Sequence, residues 1–545
     1  MTTEIPDKLL YFGDNLGILR EHIGDESVDL IYLDPPFNSA RDYNILFASP
    51  KGGRSEAQIV AFKDSWQWGM QAEGEFDEIV RGGHTDVAEM IQAMRRFLGE
   101  NDMMAYLVMM ARRLLELHRV LKPTGSLYLH CDPVASHYLK IVLDSVFGKT
   151  RFGSEISWRR SSAHNDAKQG RKLPGNIRDV ILFYTKSETW TWNWLYTPYD
   201  EDYVRHFYTH IDEKTGRRYR LGDLTAAKPG GDVSYDFHGT RPYKGRYWAY
   251  SRENMEKFHA QGRLHFPKNG GTPAYKRYLD EMPGVPLQND WSDIRPVPPN
   301  EYLGYPTQKP LALLERIVQA SSNEGDVVLD PFCGCGTAVH AAHKLKRKWI
   351  GIDITHLAIA LIEKRLKDAF PGIAFAVHGT PRELEGARDL AARDKYQFQW
   401  WACSLVNAQP YQGRKKGADG GIDGLIYFQD EQKAHKKIVV SVKGGGNVGV
   451  AMVRDLVGVV EREKAEIGLF VTLAPPTQAM RSEAAKAGFY LSPTLPGNFP
   501  RLQILSVEGL LEGRERPLYP DLSQGGLTFK KAPREEKTAD QKPLF

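Results

Sequence analysis

A short apolar segment of the chain, IYLDPPF at residues 31–37, ends in an acid, two prolines and an aromatic ring. Proline locks φ and removes a backbone donor, so Pro35 and Pro36 hold their neighbours in defined positions. The Asp34 carboxylate and the Pro35 carbonyl are hydrogen-bond acceptors, and Phe37 offers a flat apolar face. This rigid group suits recognition of an amine that is bonded to a planar ring.

If the group acts on the amine of a nucleobase, its target is a poor nucleophile, because the lone pair of that nitrogen is delocalised into the ring. Acceptors that are preorganised where charge develops favour a more tetrahedral nitrogen. Asp34 need not be a strong base, because the proton becomes acidic once the nitrogen is alkylated. A base inside a duplex must first be flipped out, and Phe37 could then stack on it. The alternative is a strand that merely stops at a proline turn, so the function requires partners elsewhere.

The second informative stretch is VVLDPFCGCGTAVHAAHKLKRKWIGIDI, at residues 327–354. Its pattern predicts a strand ending at Asp330, a turn with Gly334 and Gly336, a helix, and a strand ending at Asp353. Glycines let backbone N–H groups approach a ligand closely, and an acid roughly 20 residues on can hold ribose hydroxyls. The dinucleotide fingerprint GxGxxG is excluded, since Val339 takes the third glycine position, and no Gly-Lys-Ser/Thr of a P-loop follows.

Together, D-P-P-F and D-P-F-x-G-x-G-T resemble the DNA methyltransferases that modify amino groups with S-adenosylmethionine. The D-P-P-F motif comes first here, which is the permuted, beta-type order of that family. The resemblance covers roughly residues 5–375. It implies an α/β fold in which both halves build one Rossmann-like sheet, with Asp34, Pro35, Pro36 and Phe37 as the catalytic residues.

The resemblance also implies a set of cofactor contacts. The segment YFGDNLGIL resembles the family segment whose acid contacts the cofactor's adenine. The segment YPTQKPLALLERIV resembles the one that closes around the methionine moiety. EISWRRS and DVILFYTKS resemble the strands near the target-base pocket. The cofactor residues implied in this way are Asp14, Thr307, Lys309, Asp330, Phe332, Gly334, Gly336, Thr337 and Asp353.

The target atom is predicted from the same motifs. Methylation at cytosine C5 needs a nucleophilic cysteine, typically after proline, and none of the four cysteines follows a proline. Family members with Asp first usually act on adenine N6, whereas Ser-Pro-Pro is commoner for cytosine N4. We therefore expect adenine N6, with cytosine N4 as the alternative. Cys333 and Cys335 lack a His or Cys pair at zinc-site spacing, so no metal site is expected there.

A C-terminal segment, KKGADGGIDGLIYF followed by KKIVVSVKGG, resembles the Mrr-type PD-(D/E)xK restriction-endonuclease fold. Asp423 matches the first acid and Lys443 the lysine of that family. Ser441 stands where an acid or Gln is expected, and serine is a weak ligand for a hard cation. We expect a DNA-binding module that does not cleave. The alternative is a bifunctional restriction and modification enzyme that uses Mg²⁺ and recruits another acid such as Glu461.

The domain organisation is predicted from changes in composition and in hydrophobic periodicity along the chain. Alternating strand and helix patterns at both ends of the methyltransferase-like region predict a parallel α/β sheet, and the irregular stretch between them is rich in aromatic and basic residues. The predicted segments are the catalytic half (1–188), a target-recognition insert (189–300), the cofactor half (301–378), a linker (379–393), the endonuclease-like α/β domain (394–515) and a disordered tail (516–545).

Composition limits the remaining possibilities. The 545 residues are 41% hydrophobic and 26% charged, with a net charge of +4, which permits double-stranded DNA as partner. No apolar run approaches the roughly 20 residues of a membrane helix and no signal peptide is evident, so we expect a cytoplasmic protein without membrane contact. The terminal QKPLF resembles peptides that dock on sliding clamps, through Gln541, Leu544 and Phe545. A homodimer is left open, and a non-catalytic, relict DNA-binding protein is disfavoured by the intact motifs.

Overall fold

The structure is a computed structural model that describes residues 7–36, 41–48, 54–64, 67–161, 172, 174–228, 234–268, 270–305, 307–411, 420–431, 434–523 and 527–535. Phe37 and residues 541–545 lie outside this set. The chain divides into two compact units, one formed by its flanking parts up to residue 193 and from residue 289, the other by residues 194–288. No helix in the described part of the chain is long and apolar enough to cross a bilayer.

The helices are α1 (Asn15–His22), α2 (Met70–Arg81), α3 (Thr85–Leu98), α4 (Asp102–Val120), α5 (Ser136–Phe147), α6 (Glu201–Phe207), α7 (Arg252–Ala260), α8 (Leu311–Ser321), α9 (Thr337–Lys344), α10 (His356–Ala369), α11 (Leu384–Arg393), α12 (Lys395–Leu405), α13 (Val450–Arg462), α14 (Gln478–Ala485) and α15 (Val507–Leu511). The strands of the first half of the chain are β1 (Lys8–Phe12), β2 (Val28–Leu33), β3 (Arg41–Ala48), β4 (Arg54–Asp64), β5 (Leu121–Cys131), β6 (Phe152–Arg159), β7 (Arg178–Thr185), β8 (Tyr196–Thr197), β9 (His210–Ile211), β10 (Arg218–Gly222), β11 (Thr225–Ala226), β12 (Tyr247–Trp248) and β13 (Leu264–His265). Those that follow are β14 (Ala274–Tyr278), β15 (Val285–Pro286), β16 (Val327–Asp330), β17 (Lys348–Asp353), β18 (Ala376–His378), β19 (Gln409–Pro410), β20 (Gly424–Glu431), β21 (Ala434–Lys443), β22 (Ile467–Thr472), β23 (Phe489–Leu491), β24 (Asn498–Pro500) and β25 (Leu502–Ser506).

An eight-stranded sheet forms the centre of the first unit, in the order β18-β1-β17-β16-β2-β5-β7-β6. The six strands from β18 to β5 are mutually parallel, and β7 runs antiparallel between β5 and β6. Because parallel strands end at a common edge, the loops after β1, β2, β16 and β17 meet there. The predicted α/β class with a Rossmann-like sheet is confirmed.

Burial on both faces explains the apolar runs of this sheet. Strand β2 is buried along almost its whole length, as is typical of a central parallel strand covered by helices. Helix α4 begins where the Asn101 side chain accepts a hydrogen bond from the Met104 amide (2.9 Å) and then packs most of its residues into the core. The apolar patterns of the sequence predict a helix at 103–121 and strands at 28–34 and 125–132, close to the observed α4, β2 and β5.

The unit at residues 194–288 has a four-stranded antiparallel sheet in the order β13-β14-β10-β9, with α6 and α7 and short two-stranded ribbons. Among its described residues, a small cluster is buried: Leu224, Phe237, Trp248, Met255 and Leu264. Several of the aromatic residues that mark this stretch of sequence therefore serve as core.

The C-terminal part of the first unit contains a five-stranded sheet in the order β19-β20-β21-β22-β25. We predicted a disordered tail from residue 516, whereas residues 516–523 and 527–535 follow this sheet without a helix or strand and hydrogen-bond to it. The Thr528 hydroxyl accepts from the Tyr427 amide (3.0 Å), and the Leu522 amide donates to the Gln429 carbonyl (2.6 Å). β19 pairs with only the start of β20, so this segment satisfies backbone groups of β20 that β19 does not reach.

Gly379 tests how tightly the chain after β18 packs against the end of β1. It follows β18 with φ of +81°, and a Cβ there would overlap the Phe12 carbonyl oxygen at the end of β1. We expect Gly379→Ala to lower the free energy of unfolding by about 2–4 kcal/mol, from the left-handed backbone and overpacking together. Equilibrium urea unfolding measures the change.

The matched control is Gly458→Ala in α13, where a Cβ meets no atom within 4 Å. An exposed helical glycine should gain up to about 1 kcal/mol when replaced by alanine. Equal stabilities for the two variants would contradict the account of Gly379.

Candidate active site

A cavity of about 250 Å³ lies at the carboxyl edge of the central sheet. The loops after β1, β2, β16 and β17 line it together with the segment before α8. Eleven of the predicted site residues contribute to its wall: Asp14, Asp34, Pro35, Pro36, Thr307, Lys309, Asp330, Phe332, Gly334, Thr337 and Asp353. The two halves of the predicted site, which are some 300 residues apart in sequence, are thus brought together.

Asp34, directly after β2, forms an ion pair with Lys309. The Lys309 side chain is only 8% exposed and also donates to the Thr307 carbonyl (3.3 Å). We expected Lys309 to contact the cofactor, but its ammonium group lies on the carboxylate of the predicted catalytic acid. A buried cation at this position fixes the direction of Asp34 Oδ2 through a charge-assisted hydrogen bond.

The glycine turn has two different roles. Gly334, at φ of +50°, donates its amide hydrogen to Asp353 Oδ2 (2.9 Å) and lies in the cavity wall. Gly336, at φ of +74°, is the residue before α9, and a Cβ there would lie 2.8 Å from Ile362 in α10. Gly336 is therefore needed for the close approach of α9 to α10. We predicted that it would contact the cofactor, but it does not line the cavity.

Two acids give the cavity its electrostatic character, Asp330, which is buried, and Asp353, which is partly buried. Burial raises the pKa of Asp353 to about 6. The amide and the hydroxyl of Thr355 both donate to this carboxylate (2.9 Å), and these hydrogen bonds oppose the rise in pKa. Burial, and then the neighbouring carboxylates of Asp34 and Asp353, raise the pKa of Asp330 well above its usual value. The site can therefore offer carboxylates to hydrogen-bond donors at neutral pH while one acid favours its neutral form.

A buried arginine that we did not predict organises the cavity wall formed by the loop after β1. Arg113 of α4 donates to Asp14 Oδ1 (2.7 Å) and to Asn15 Oδ1 (2.6 Å). Asn15 donates in turn to the Pro331 carbonyl in the turn after β16 (2.8 Å). This network joins the start of α1 to the turn after β16. Its one signal in the sequence is a charged pair, Arg112 and Arg113, in an otherwise apolar stretch of helix.

We also did not predict a second network of buried polar groups. The Tyr32 hydroxyl, in the cavity wall, lies 3.0 Å from His130 Nδ1, and His130 Nε2 lies 3.2 Å from Asp179 Oδ2. Arg160 pairs with the other oxygen of Asp179 (3.3 Å). Burial, and then the carboxylates of Asp34 and Asp330, raise the pKa of Tyr32. Tyr32 therefore presents a neutral hydroxyl, held by His130, beside the acid.

The predicted nuclease-like residues lie together in the C-terminal sheet. Asp423 precedes β20, and Ser441 and Lys443 are two residues apart on β21. The Asp423 carboxylate is buried and accepts from Gln399 (2.6 Å), the Val442 amide (2.6 Å) and Ser441 (3.3 Å). Its oxygens are thus committed to internal donors. Glu461, the alternative acid, lines a separate cleft that does not include Asp423.

Two family models match the chain. One, described as DNA methylase of the N6/N4 methyltransferase type, matches residues 28–364. The other, described as NACHT-associated inactive restriction endonuclease 1, matches residues 403–492.

Individual proteins are also similar to this chain. The type II methyltransferase M.EcaI of Enterobacter cloacae is 30% identical over 66% of this chain and 69% of its own length. The Mod subunit of the type III restriction-modification enzyme StyLTI of Salmonella typhimurium is 26% identical over 62% and 50%. Among solved structures, this chain is similar to a putative DNA modification methylase of Thermus thermophilus complexed with S-adenosyl-L-methionine. The alignment covers 69% of this chain and 99% of that chain, at 17% identity and a TM-score of 0.33. A likeness this weak does not bear on the fold.

Proposed function

We propose that this chain, which belongs to the N6/N4 DNA methylase family, transfers a methyl group from S-adenosylmethionine to adenine N6 in double-stranded DNA. The observation that carries the proposal is that Asp34 and the glycine turn after β16 line one cavity. The order of the motifs supports the beta-type, permuted arrangement, because β2 with its Asp34 precedes β16 in the chain and lies beside it in the sheet.

The donor set of the cavity fits this cofactor. Asp353 and Asp14 offer carboxylate oxygens for ribose and adenine donors, and Thr337 lies in the same wall. The Gly334 turn brings backbone close to the ligand space without side chains. When bound, S-adenosylmethionine supplies a methyl group that its sulfonium already activates, so the protein's contribution is largely proximity and alignment.

For the target base, Asp34 and the Pro35 carbonyl would accept hydrogen bonds from the amine hydrogens. The contact with Lys309 orients Asp34, so the acceptor is in place before the base arrives. Phe37 is proposed as the stacking surface for the flipped base. Adenine is the proposed base because the motif begins with Asp, and cytosine N4 is the alternative that uses the same geometry.

The unit at residues 194–288 is proposed to recognise the target sequence. Its stretch of sequence is rich in arginines and lysines, which suit phosphates and base edges. The clamp-binding role of residues 541–545 and a homodimer remain predictions.

The endonuclease-like region is proposed to bind DNA without cleaving it. In support, the Asp423 carboxylate is satisfied by protein donors, and Ser441 replaces the second acid. A hard cation needs several oxygen ligands, and replacing these donors would cost buried hydrogen bonds. The matching family model is itself described as inactive.

The central test replaces the acid. We expect Asp34→Ala to reduce methyl transfer at least about a hundredfold, because it removes a preorganised acceptor, while cofactor affinity changes little. Incorporation of label from S-adenosylmethionine into duplex DNA, followed by nucleoside analysis, measures the rate and identifies the base.

The matched control is Asp389→Ala, which removes an exposed carboxylate of α11. Full activity in Asp34→Ala would refute the catalytic assignment. Label found as N4-methylcytosine would retain the mechanism and replace adenine by cytosine.

Cofactor affinity should depend on pH through Asp353. Its pKa of about 6 means that the carboxyl is ionised above pH 6 and protonated below it. If the ionised form binds the ribose hydroxyls, affinity should fall roughly tenfold between about pH 7.5 and about pH 5. Calorimetric titration with S-adenosylmethionine measures it, with circular dichroism at each pH to verify folding.

In Asp353→Asn this part of the pH dependence should disappear and affinity should be low throughout. An unchanged pH profile in that variant would show that another group titrates.

The absence of nuclease activity is tested on unmodified duplex DNA with Mg²⁺. We expect no cleavage, and no difference between the protein and Lys443→Ala, beside an active restriction enzyme as positive control. Mg²⁺-dependent cleavage that Lys443→Ala abolishes would instead establish the bifunctional alternative.

A further inference from the structure

Three potential metal ligands converge on the surface of the unit at residues 194–288. They are His238, Glu256 and His259, whose ligand atoms all lie within 4.8 Å of one another. His238 Nε2 is 3.2 Å from Glu256 Oε2, and the two imidazole rings have centroids 4.5 Å apart. It is the one group of this kind among the residues that the structure describes.

His238 is held in place by its turn. The amides and carbonyls of Phe237 and Thr240 exchange two hydrogen bonds (2.9 and 3.0 Å) around His238 and Gly239. Both central residues have positive φ, +47° and +78°, which is the geometry of a two-residue hairpin turn. Histidine tolerates this conformation better than most residues, yet glycine or asparagine is favoured there. An imidazole at the tip of the turn is therefore fixed toward α7.

Helix α7 supplies the other two ligands. Glu256 and His259 are three residues apart, so they lie on one face of the helix. The Ser251 hydroxyl accepts from the Asn254 amide (3.4 Å) at the start of α7. The ring of Phe266 packs edge-on against both imidazoles, with centroids at 6.3 and 5.5 Å. These contacts restrict the ring orientations.

The cluster lies directly over a very small core. Phe237 and Met255 are fully buried in the core cluster, and each is followed in sequence by one of the ligands, His238 and Glu256. A core of this size supplies limited stability, and small units often gain the remainder from a metal. A metal that ties the turn to α7 would clamp the two elements that enclose this core.

We propose that His238, Glu256 and His259 bind one Zn²⁺ ion that stabilises this unit, with water as the fourth ligand. Two imidazole nitrogens and one carboxylate oxygen suit zinc, whose bonds of about 2.0–2.1 Å require ligand atoms about 3.3 Å apart. The His238–Glu256 distance already matches this, and His259 needs an adjustment that an exposed side chain can make. The proposal is independent of methyl transfer.

The test uses the full-length chain, prepared without a histidine tag and dialysed against chelator. Titration with Zn²⁺ by calorimetry, together with metal analysis, should give one equivalent bound and a raised thermal midpoint, since the metal binds only the folded state. His259→Ala and Glu256→Gln should each weaken binding at least about tenfold and remove the thermal shift.

The control is His206→Ala, which removes an exposed histidine of α6 in the same unit and should leave binding unchanged. Circular dichroism of Glu256→Gln, a nearly isosteric change, verifies that loss of zinc binding does not reflect misfolding. Absence of zinc binding in the parent chain, or equal binding in parent and both ligand variants, would overturn the proposal.

Discussion

The pairing of β2 with β16 is the constraint on which the candidate active site depends. Leu30 and Ile31 lie opposite Val328 and Leu329 in parallel register, although the two strands are nearly 300 residues apart in sequence. Parallel neighbours end at the same edge, so the acid after β2 and the turn after β16 must face one cavity. The unit at residues 194–288 lies between β7 and α8 in the chain, so both strands of this pair belong to the other unit.

Charge balance determines how this cavity can work. Three carboxylates line one cavity, those of Asp34, Asp330 and Asp353. Burial raises the pKa of Asp330 and of Asp353, and at Asp330 the neighbouring carboxylates add to the effect. Two buried cations lie in the same wall, Lys309 on Asp34 and Arg113 on Asp14. The acids of this cavity therefore differ in their partners and in their electrostatic surroundings.

In the C-terminal sheet, the carboxylate of a predicted site residue is bonded to protein donors. The resemblance to the endonuclease fold predicts a metal-binding position for Asp423, and in the structure its oxygens accept from Gln399, Ser441 and the Val442 amide. This carboxylate thus links the residue before β20 to β21. The segment at 527–535 ties this region to the cofactor half, since Glu535 pairs with His340 and Lys344 of α9. The region thus acts as part of one unit with the methyltransferase sheet.

Features that depend on local chemistry could be predicted from the sequence alone. The apolar runs of β2 and β16, the glycines at positive φ and the acids that end the strands could all be read directly, because burial and backbone geometry leave periodic or residue-specific signatures. Only the tertiary structure decided which distant groups meet. Lys309 on Asp34, Arg113 on Asp14 and the Tyr32–His130–Asp179 chain are contacts between elements about a hundred or more residues apart, or between strands whose adjacency is not encoded locally. The same holds for Gly336, whose role depends on how closely α10 approaches. It also holds for residues 516–523 and 527–535, whose polar sequence is typical of a tail although Leu522 and Thr528 hydrogen-bond to β20.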